Sequence, residues 1–161
     1  MRRKDKEIIN LNEKLEIIEK CKICRLGLSD KNVPYIVPLN YGFSYDNGKL
    51  TLYFHSAMEG KKIDIIKENN NACFEIDCDT KLIEGENSCD YGYEFKSIIG
   101  FGKIIILDTK DEKIDGLNYL MKQQTGKDTN YEFDENAMNN VIIFKMLVEE
   151  FTGKQKVIKK E

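Results

Sequence analysis

Apolar or aromatic residues alternate with small or polar residues from Tyr35 to Tyr45, which predicts one long, half-buried β-strand. The Asp46-Asn47-Gly48 segment that follows favours a hairpin, because Asn and Gly tolerate the positive φ angles of tight loops. Leu50 to His55 then supplies the returning strand. Pro38 cannot donate a ladder hydrogen bond, so we expect it at a sheet edge or at a bulge.

Three further segments have the composition of strands, and a fourth is a weaker candidate. Gly100 and Gly102 interrupt one of the three, and glycines inside a strand indicate a bulge or the close approach of another group. The weaker candidate is Arg25 to Leu28, whose hairpin partner would begin at Val33. The three strands are Ala72 to Cys78, Tyr93 to Leu107 and Asn140 to Glu150.

Amphipathic spacing predicts three helices around these strands. The first lies within residues 1–24, the second covers Met58 to Lys67, and the third covers Asp108 to Gly126. Five or six antiparallel strands with helices at these places indicate a mainly β fold. Small sheets of this kind are usually barrels or sandwiches, so we predict a closed antiparallel barrel with peripheral helices.

The length of the chain favours a single domain over residues 1–161, with the first helix in 1–24 and a basic tail at 155–161. The 25 basic and 28 acidic residues give a formal net charge of -3. This balance provides no long-range attraction to nucleic acid or to an anionic membrane, so we expect neither as a partner. Any bound anion must be held by a local cluster of charges and donors.

Cysteine usage and the apolar runs bear on the cellular compartment. Five cysteines, an odd number, and a charged start without an apolar stretch behind it favour a reduced, cytoplasmic protein. The longest apolar runs, such as Ile104 to Leu107, are far shorter than the roughly 20 residues of a membrane-spanning helix. Cys21-x-x-Cys24 has metal or redox spacing, but no second pair matches it, so we expect packing and no metal site.

One segment combines the residue types best suited to binding or catalysis. A predicted strand ends there in His55 and Ser56, and the next helix begins with Lys61 and Lys62. His55 is the only histidine of the chain. A helix start offers backbone N–H groups to an anion, and the lysines and the hydroxyl add charge and a donor. Lysines are unfavourable at the positive end of a helix dipole unless an anion is present. The alternative is a solvated helix start that tolerates them.

Three motifs together resemble the pyridoxamine 5'-phosphate oxidase-like flavin proteins, and within them the nitroimidazole-resistance branch. The most specific is the His-Ser-Ala-x-x-Gly-Lys-Lys block. The resemblance runs from about Ile17 to Lys154, in order and without large gaps. The motifs are Pro38-Leu39-Asn40-Tyr41, the segment from Leu52 to Asp64, and the segment from Tyr93 to Gly102.

The resemblance implies a six-stranded split β-barrel that binds FMN at the interface of a homodimer. By the same resemblance Lys61, Lys62 and Ser56 would hold the phosphate, as the helix start already suggests. Ser97 would face the same cofactor. The residues that would line the isoalloxazine ring are Pro38, Leu39, Asn40, Tyr41, Phe54, His55, Ser56 and Ala57.

The function implied is that of an FMN-dependent oxidoreductase that takes electrons from a nicotinamide or another donor and reduces a small acceptor such as a nitroimidazole. His55 is the candidate catalytic residue, as a proton donor to the acceptor or a stabiliser of charge on the reduced flavin. The alternative role for His55 is structural. A different class remains open, a non-catalytic flavin- or haem-binding sensor or carrier with His55 as an axial ligand. A true pyridoxamine-phosphate oxidase is disfavoured, because the basic residues needed to clamp a second phosphate are not found.

Overall fold

The computed structural model describes residues 2–157, which form eight strands and four α-helices. The strands are β1 (Glu7–Ile8), β2 (Ile23–Asp30), β3 (Val33–Asn40), β4 (Gly42–Asp46), β5 (Lys49–Ala57), β6 (Asn71–Ile83), β7 (Gly92–Ile106) and β8 (Val141–Lys156). The helices are α1 (Leu11–Lys20), α2 (Lys61–Glu68), α3 (Lys110–Thr125) and α4 (Glu135–Asn139). Short 3-10 turns cover Lys4–Lys6 and Ser88–Asp90.

The eight strands form one antiparallel sheet in the order β3-β2-β6-β7-β8-β5-β4, with β1 paired to the far end of β8. Among residues 2–157 no ladder joins β3 to β4, so the sheet is not closed. The mainly β, antiparallel class with peripheral helices is confirmed. The strand count is corrected from six to eight, and the closed barrel to a sheet that is open between β3 and β4.

One reason for the higher count is a break at Tyr41 in the predicted long strand. The Tyr41 side chain is fully buried, and its hydroxyl donates a hydrogen bond to the carbonyl of Ile18, at 2.5 Å. At the next residue, a Cβ on Gly42 would lie 2.3 Å from the backbone of Tyr119 in α3. The chain therefore turns a corner between β3 and β4, with a helix packed against the turn.

The hairpin predicted at Asp46-Asn47-Gly48 is confirmed. Asn47 and Gly48 have φ angles of 51° and 79°, the left-handed pair that a two-residue hairpin loop requires. The β2–β3 hairpin has the same form, with φ angles of 49° at Lys31 and 72° at Asn32. Both turns match the right-handed twist of the strands that they connect.

Pro38 and the two glycines of β7 lie where their chemistry predicts. Pro38 is on β3, an edge strand that pairs with β2 alone, so its missing N–H costs no ladder bond on the open side. The β7–β8 register shifts between Phe101 and Gly102, which is a bulge. A Cβ on Gly102 would lie 2.0 Å from the carbonyl oxygen of Leu147, so only glycine fits there.

The N-terminal helix is shorter than predicted, since α1 covers only residues 11–20 of the 1–24 segment. Asn10 caps it, its side-chain oxygen accepting from the amide of Asn12 at 2.8 Å. Residues before the cap form β1, and Ile23 and Cys24 already belong to β2. At the other end of the chain, Gln155 and Lys156 complete β8, and residues 158–161 of the predicted basic tail lie outside the described residues.

One face of the sheet, here called the inner face, carries the core, with Phe54, Phe74 and Phe144 buried almost completely. Helix α1 packs on β6 and β7, and α2 packs on β2. The outer face is covered by α3 over β4, β5 and β8, where Gly116 allows close approach to Ile143. Within residues 2–157, no helix is long and apolar enough to cross a membrane.

Candidate functional site

The predicted anion site lies where β5 ends and α2 begins. The alternation along β5 places Ser56 on the inner face and His55 on the outer face. Gly60 precedes α2 with a φ of 138°, a backbone conformation that favours glycine, and open space surrounds its Cβ position. In the described part of the chain no side chain caps this end of α2. The amides of Lys61 and Lys62 therefore have no intrahelical partner, whereas the amide of Ile63 donates to the Gly60 carbonyl at 2.8 Å.

Lys61 and Lys62 stand at this uncapped helix start. The Lys61 ammonium lies 3.4 Å from a carboxylate oxygen of Asp30 and 5.2 Å from the centre of the Tyr35 ring. Its side chain is 58% exposed, so the ion pair is worth at most about 1 kcal/mol and is easily exchanged for a stronger anion. The β2–β3 hairpin is thus the neighbour of the helix start.

Two buried polar atoms next to the helix start lack hydrogen-bond partners among the described residues. They are the hydroxyl oxygen of Ser56 and the Nδ1 atom of His55. A buried polar atom without a partner costs about 1–3 kcal/mol, so such atoms are uncommon unless a ligand or water satisfies them. Together with the free amides and the two lysines, the Ser56 hydroxyl fits a phosphate monoester. Because consecutive residues of a strand face opposite sides, the His55 ring does not point to the same place as Ser56.

The residues expected along the isoalloxazine ring differ in what they leave free for a ligand. The Tyr41 and Phe54 side chains belong to the core, the second stacked on Phe144 with ring centres 5.2 Å apart. Only the backbone of these two residues is left for a cofactor, and the Tyr41 carbonyl already accepts a hydrogen bond from Gln124. On the edge strand β3 and at the end of β5, the exposed or half-buried residues are Pro38, Leu39, Asn40 and Ala57.

Ser97 lies far along the sheet from His55 within one chain. It lies on the outer face of β7, opposite Asp77 on β6 and Lys154 on β8. His55 pairs with Ile143 on β8, eleven residues before Lys154. At about 3.3 Å per residue this separates Ser97 from His55 by roughly 35 Å of strand.

The outer face of β7 and β8 carries an exposed apolar patch that the sequence did not single out. Its members are exposed by 41–51% although they are large and apolar. An exposed group of large apolar side chains on one sheet face is a candidate surface for binding another molecule. The patch, called the outer patch below, consists of Ile99, Phe101, Ile105 and Leu147.

A cleft of about 680 Å³ lies elsewhere, between α1, α3 and β4. None of the predicted site residues lines it. Among its walls are Ser44 and Tyr119, whose ring stacks on Tyr53 with centres 4.6 Å apart. The cleft is separate from the predicted β5–α2 site. Its walls come from distant parts of the chain, so no local motif indicates it.

Both cysteines of the Cys21-x-x-Cys24 segment are buried, as the packing interpretation expects. Cys24 points into the core from β2, and Cys21 follows the end of α1. The described residues contain no group of three or more His, Cys, Asp or Glu side chains arranged to hold a metal ion.

The family model described as pyridoxamine 5'-phosphate oxidase matches residues 11–155. The chain therefore belongs to this family. The match confirms the family that the three motifs predicted. No curated protein sequence matched the chain.

Solved structures add one relative of the expected branch. A protein from Bacteroides thetaiotaomicron, described as a candidate for resistance to 5-nitroimidazole antibiotics, is 30% identical, with a TM-score of 0.79 over 92% of this chain and 86% of that one. An FAD- and haem-binding protein from Mycobacterium smegmatis shares the fold, with 12% identity and a TM-score of 0.79 over 97% of this chain and 76% of that one. An FAD-binding protein from Mesorhizobium loti has 23% identity and a TM-score of 0.65 over 92% of this chain and 96% of that one.

Proposed function

We propose that the chain binds FMN in a site shared by two copies and acts as an FMN-dependent oxidoreductase on a small acceptor such as a nitroimidazole. The observation that carries the proposal is the uncapped start of α2, with Lys61, Lys62 and the unpartnered Ser56 hydroxyl beside it. The similarity to the Bacteroides thetaiotaomicron protein supports the acceptor class.

The phosphate of FMN is the proposed ligand of the helix start. The first amides of α2 and the helix dipole favour an anion there, and two ammonium groups add charge-assisted hydrogen bonds. The Ser56 hydroxyl gains the partner that it lacks in the single protomer. Lys61 would leave its exposed contact with Asp30 for the stronger contact with a phosphate.

A second copy of the chain is proposed to complete the site. Ser97 and His55 pair with opposite ends of β8, roughly 35 Å apart along the strand. The outer patch lies between them on the same face of the sheet and would be covered in a dimer. Ser97 of one protomer would then serve the β5–α2 site of its partner.

Bound FMN would supply the electron transfer, and the protein positions it and the acceptor. His55 is proposed to donate a proton to the acceptor as it is reduced. Its Nδ1 atom is buried and unpartnered in the protomer, so a group of the ligand would fix which ring nitrogen carries the proton.

The second candidate is a flavin- or haem-binding carrier, favoured by the fold shared with an FAD- and haem-binding protein. In that case His55 would be an axial ligand. A metal-bound histidine usually donates its other ring N–H to an acceptor, and His55 Nδ1 has none among the described residues. The arrangement therefore supports the oxidoreductase over the haem carrier.

Spectra and turnover of the purified chain distinguish these functions. Reconstitution with FMN, FAD and haemin in parallel is expected to give a stoichiometric yellow FMN complex. Under anaerobic conditions, a nicotinamide donor and a 5-nitroimidazole should then lose their absorbances together. A Soret band after haemin with no FMN bound would favour the carrier. Tight FMN binding without turnover with any donor and acceptor pair would remove the enzymatic assignment.

A further inference from the structure

Cys21 and Cys78 lie side by side where the end of α1 meets β6. The Cys21 thiol donates a hydrogen bond to the carbonyl of Asp77 at 3.3 Å, so its sulfur lies against the peptide bond that joins Asp77 to Cys78. The two thiols are close enough for each to affect the pKa of the other. Lys20 and Asp79, the residues on either side of this pair, form an ion pair. The two segments are therefore held in a fixed register.

The backbone around Cys78 departs from regular strand geometry. The β6–β7 ladder is interrupted between Cys78 and Lys81, and Asp79 has a φ of 57°. A disulfide requires its two sulfur atoms roughly 2 Å apart, so the two thiols must draw together before they can be linked. An irregular stretch of strand can make that adjustment more easily than a continuous ladder can.

The two thiols have different surroundings. Cys21 is only 7% exposed, and burial raises its pKa to about 12. Burial also raises the pKa of Cys78, Asp79 adds to the increase, and Cys21, Lys20 and Lys96 oppose it. This side chain is half-buried. Cys78 is thus the thiol that an oxidant reaches first, and Cys21 is the neighbour able to react with the product.

We propose that Cys21 and Cys78 are a reversible dithiol that a hydroperoxide oxidises to a disulfide. The Cys78 thiolate attacks the peroxide O–O bond, giving a Cys78 sulfenic acid and releasing water or an alcohol. The Cys21 sulfur then attacks the Cys78 sulfur, the S–S bond forms, and water leaves with the thiol proton. Two electrons pass from the thiols to the peroxide, and an added dithiol reverses the reaction.

The Cys21–Cys78 disulfide would join the end of α1 to β6, and its formation would not involve the β5–α2 site. The disulfide proposal is therefore independent of flavin binding.

The remaining three cysteines differ in position. Cys24 is buried on the inner face, Cys73 faces Gly27 across β2 and β6, and Cys89 is exposed in the turn before β7.

The test uses the full chain, treated with a small excess of hydrogen peroxide, quenched, unfolded and labelled with a maleimide. The labelled thiols are expected to fall from five to three, and a proteolytic peptide linking Cys21 to Cys78 should appear. Dithiothreitol should restore all five. Cys24→Ser and Cys89→Ser serve as matched controls, and each should still lose two thiols.

Cys21→Ser separates the two steps. In this variant Cys78 should accumulate as a sulfenic acid that dimedone traps, and no intramolecular link should form. If the variant does not fold, the peptide map of the unchanged protein decides alone. Five thiols after oxidation, a link between Cys21 and Cys24, or a link between chains through Cys89 would each overturn the proposal.

Discussion

His55 and Ser97 share the outer face of one sheet but pair with opposite ends of β8, His55 with Ile143 and Ser97 with Lys154. Roughly 35 Å of strand lies between these two partners. Measured along the strand, that path is longer than an FMN molecule. We therefore propose that a flavin site using both residues is built from two protomers.

Replacement of the two helix-start lysines tests the phosphate site. Lys61→Ala together with Lys62→Ala should weaken FMN binding by about 3 kcal/mol, or roughly 100-fold in Kd, since each charge-assisted hydrogen bond contributes about 1.5–3 kcal/mol. Titration with FMN fluorescence measures the change. Lys67→Ala in the last turn of the same helix is the control and should leave Kd unchanged. Equal affinities for the double variant and the unaltered protein would show that the phosphate does not bind at the start of α2.

Ser56→Ala should have opposite effects on folding and on binding. In the protomer the Ser56 hydroxyl is buried without a partner, so its removal should leave the free energy of unfolding unchanged or raise it by up to about 1–3 kcal/mol. With FMN present the same variant should lose affinity, because the phosphate loses a donor. Urea unfolding of the apoprotein and FMN titration measure the two effects.

Ser44→Ala serves as the control for this experiment, because Ser44 is buried beside Tyr53 and away from the helix start. A Ser56→Ala protein that is clearly less stable without flavin and binds FMN normally would show that the hydroxyl has only a structural role.

A charge in the outer patch should separate the protomers. Phe101→Glu places a carboxylate in apolar surface that a dimer would bury, and sedimentation should then report a monomer. Ile9→Glu is the matched control, since Ile9 is 84% exposed and lies outside the patch. A Phe101→Glu protein that sediments like the unchanged chain would exclude the outer patch from the interface.

The Lys20–Asp79 ion pair should give a small, pH-dependent contribution to stability. The Lys20 ammonium holds the pKa of the Asp79 carboxyl below its ordinary value. An acid with a lowered folded-state pKa stabilises the fold above its unfolded pKa, near 4, and loses that effect as the pH falls through the folded value.

Asp79→Asn should therefore cost less than about 1 kcal/mol at pH 7, because the pair is partly exposed, and a smaller amount near pH 3. Asn also suits the positive φ at this position, so the backbone is preserved. Urea unfolding at the two pH values measures the difference, with Glu132→Gln at an exposed loop position as the control. A cost that is equal at both pH values would show that the charge is not responsible.

Local signals predicted the local structure well. Asn47 and Gly48 specify their turn by themselves, and Gly102 indicates the bulge because only a missing side chain allows that approach. The start of α1 was not predicted, although Asn10 has the side chain of a helix cap three residues before Glu13. The helix was extended too far because apolar Ile8 and Ile23 fit the helical spacing, although they belong to strands.

Contacts between segments that are distant in sequence could not be predicted from such local patterns. The alternation through Tyr41 is continuous, and the break there depends on α3, which comes more than sixty residues later. The separation of His55 from Ser97 depends on which part of β8 each strand pairs with. The outer patch has the alternation of an ordinary strand, so its exposure follows only from the packing of the helices.

The most direct test of the shared flavin site is the mass of the FMN-loaded chain in solution, measured by sedimentation with detection at both the protein and the flavin absorbance. We predict a dimer of two 18.7 kDa chains that carries one FMN per chain, with both absorbances in the same boundary. A monomer that retains FMN, or a dimer that binds no FMN, would contradict the account.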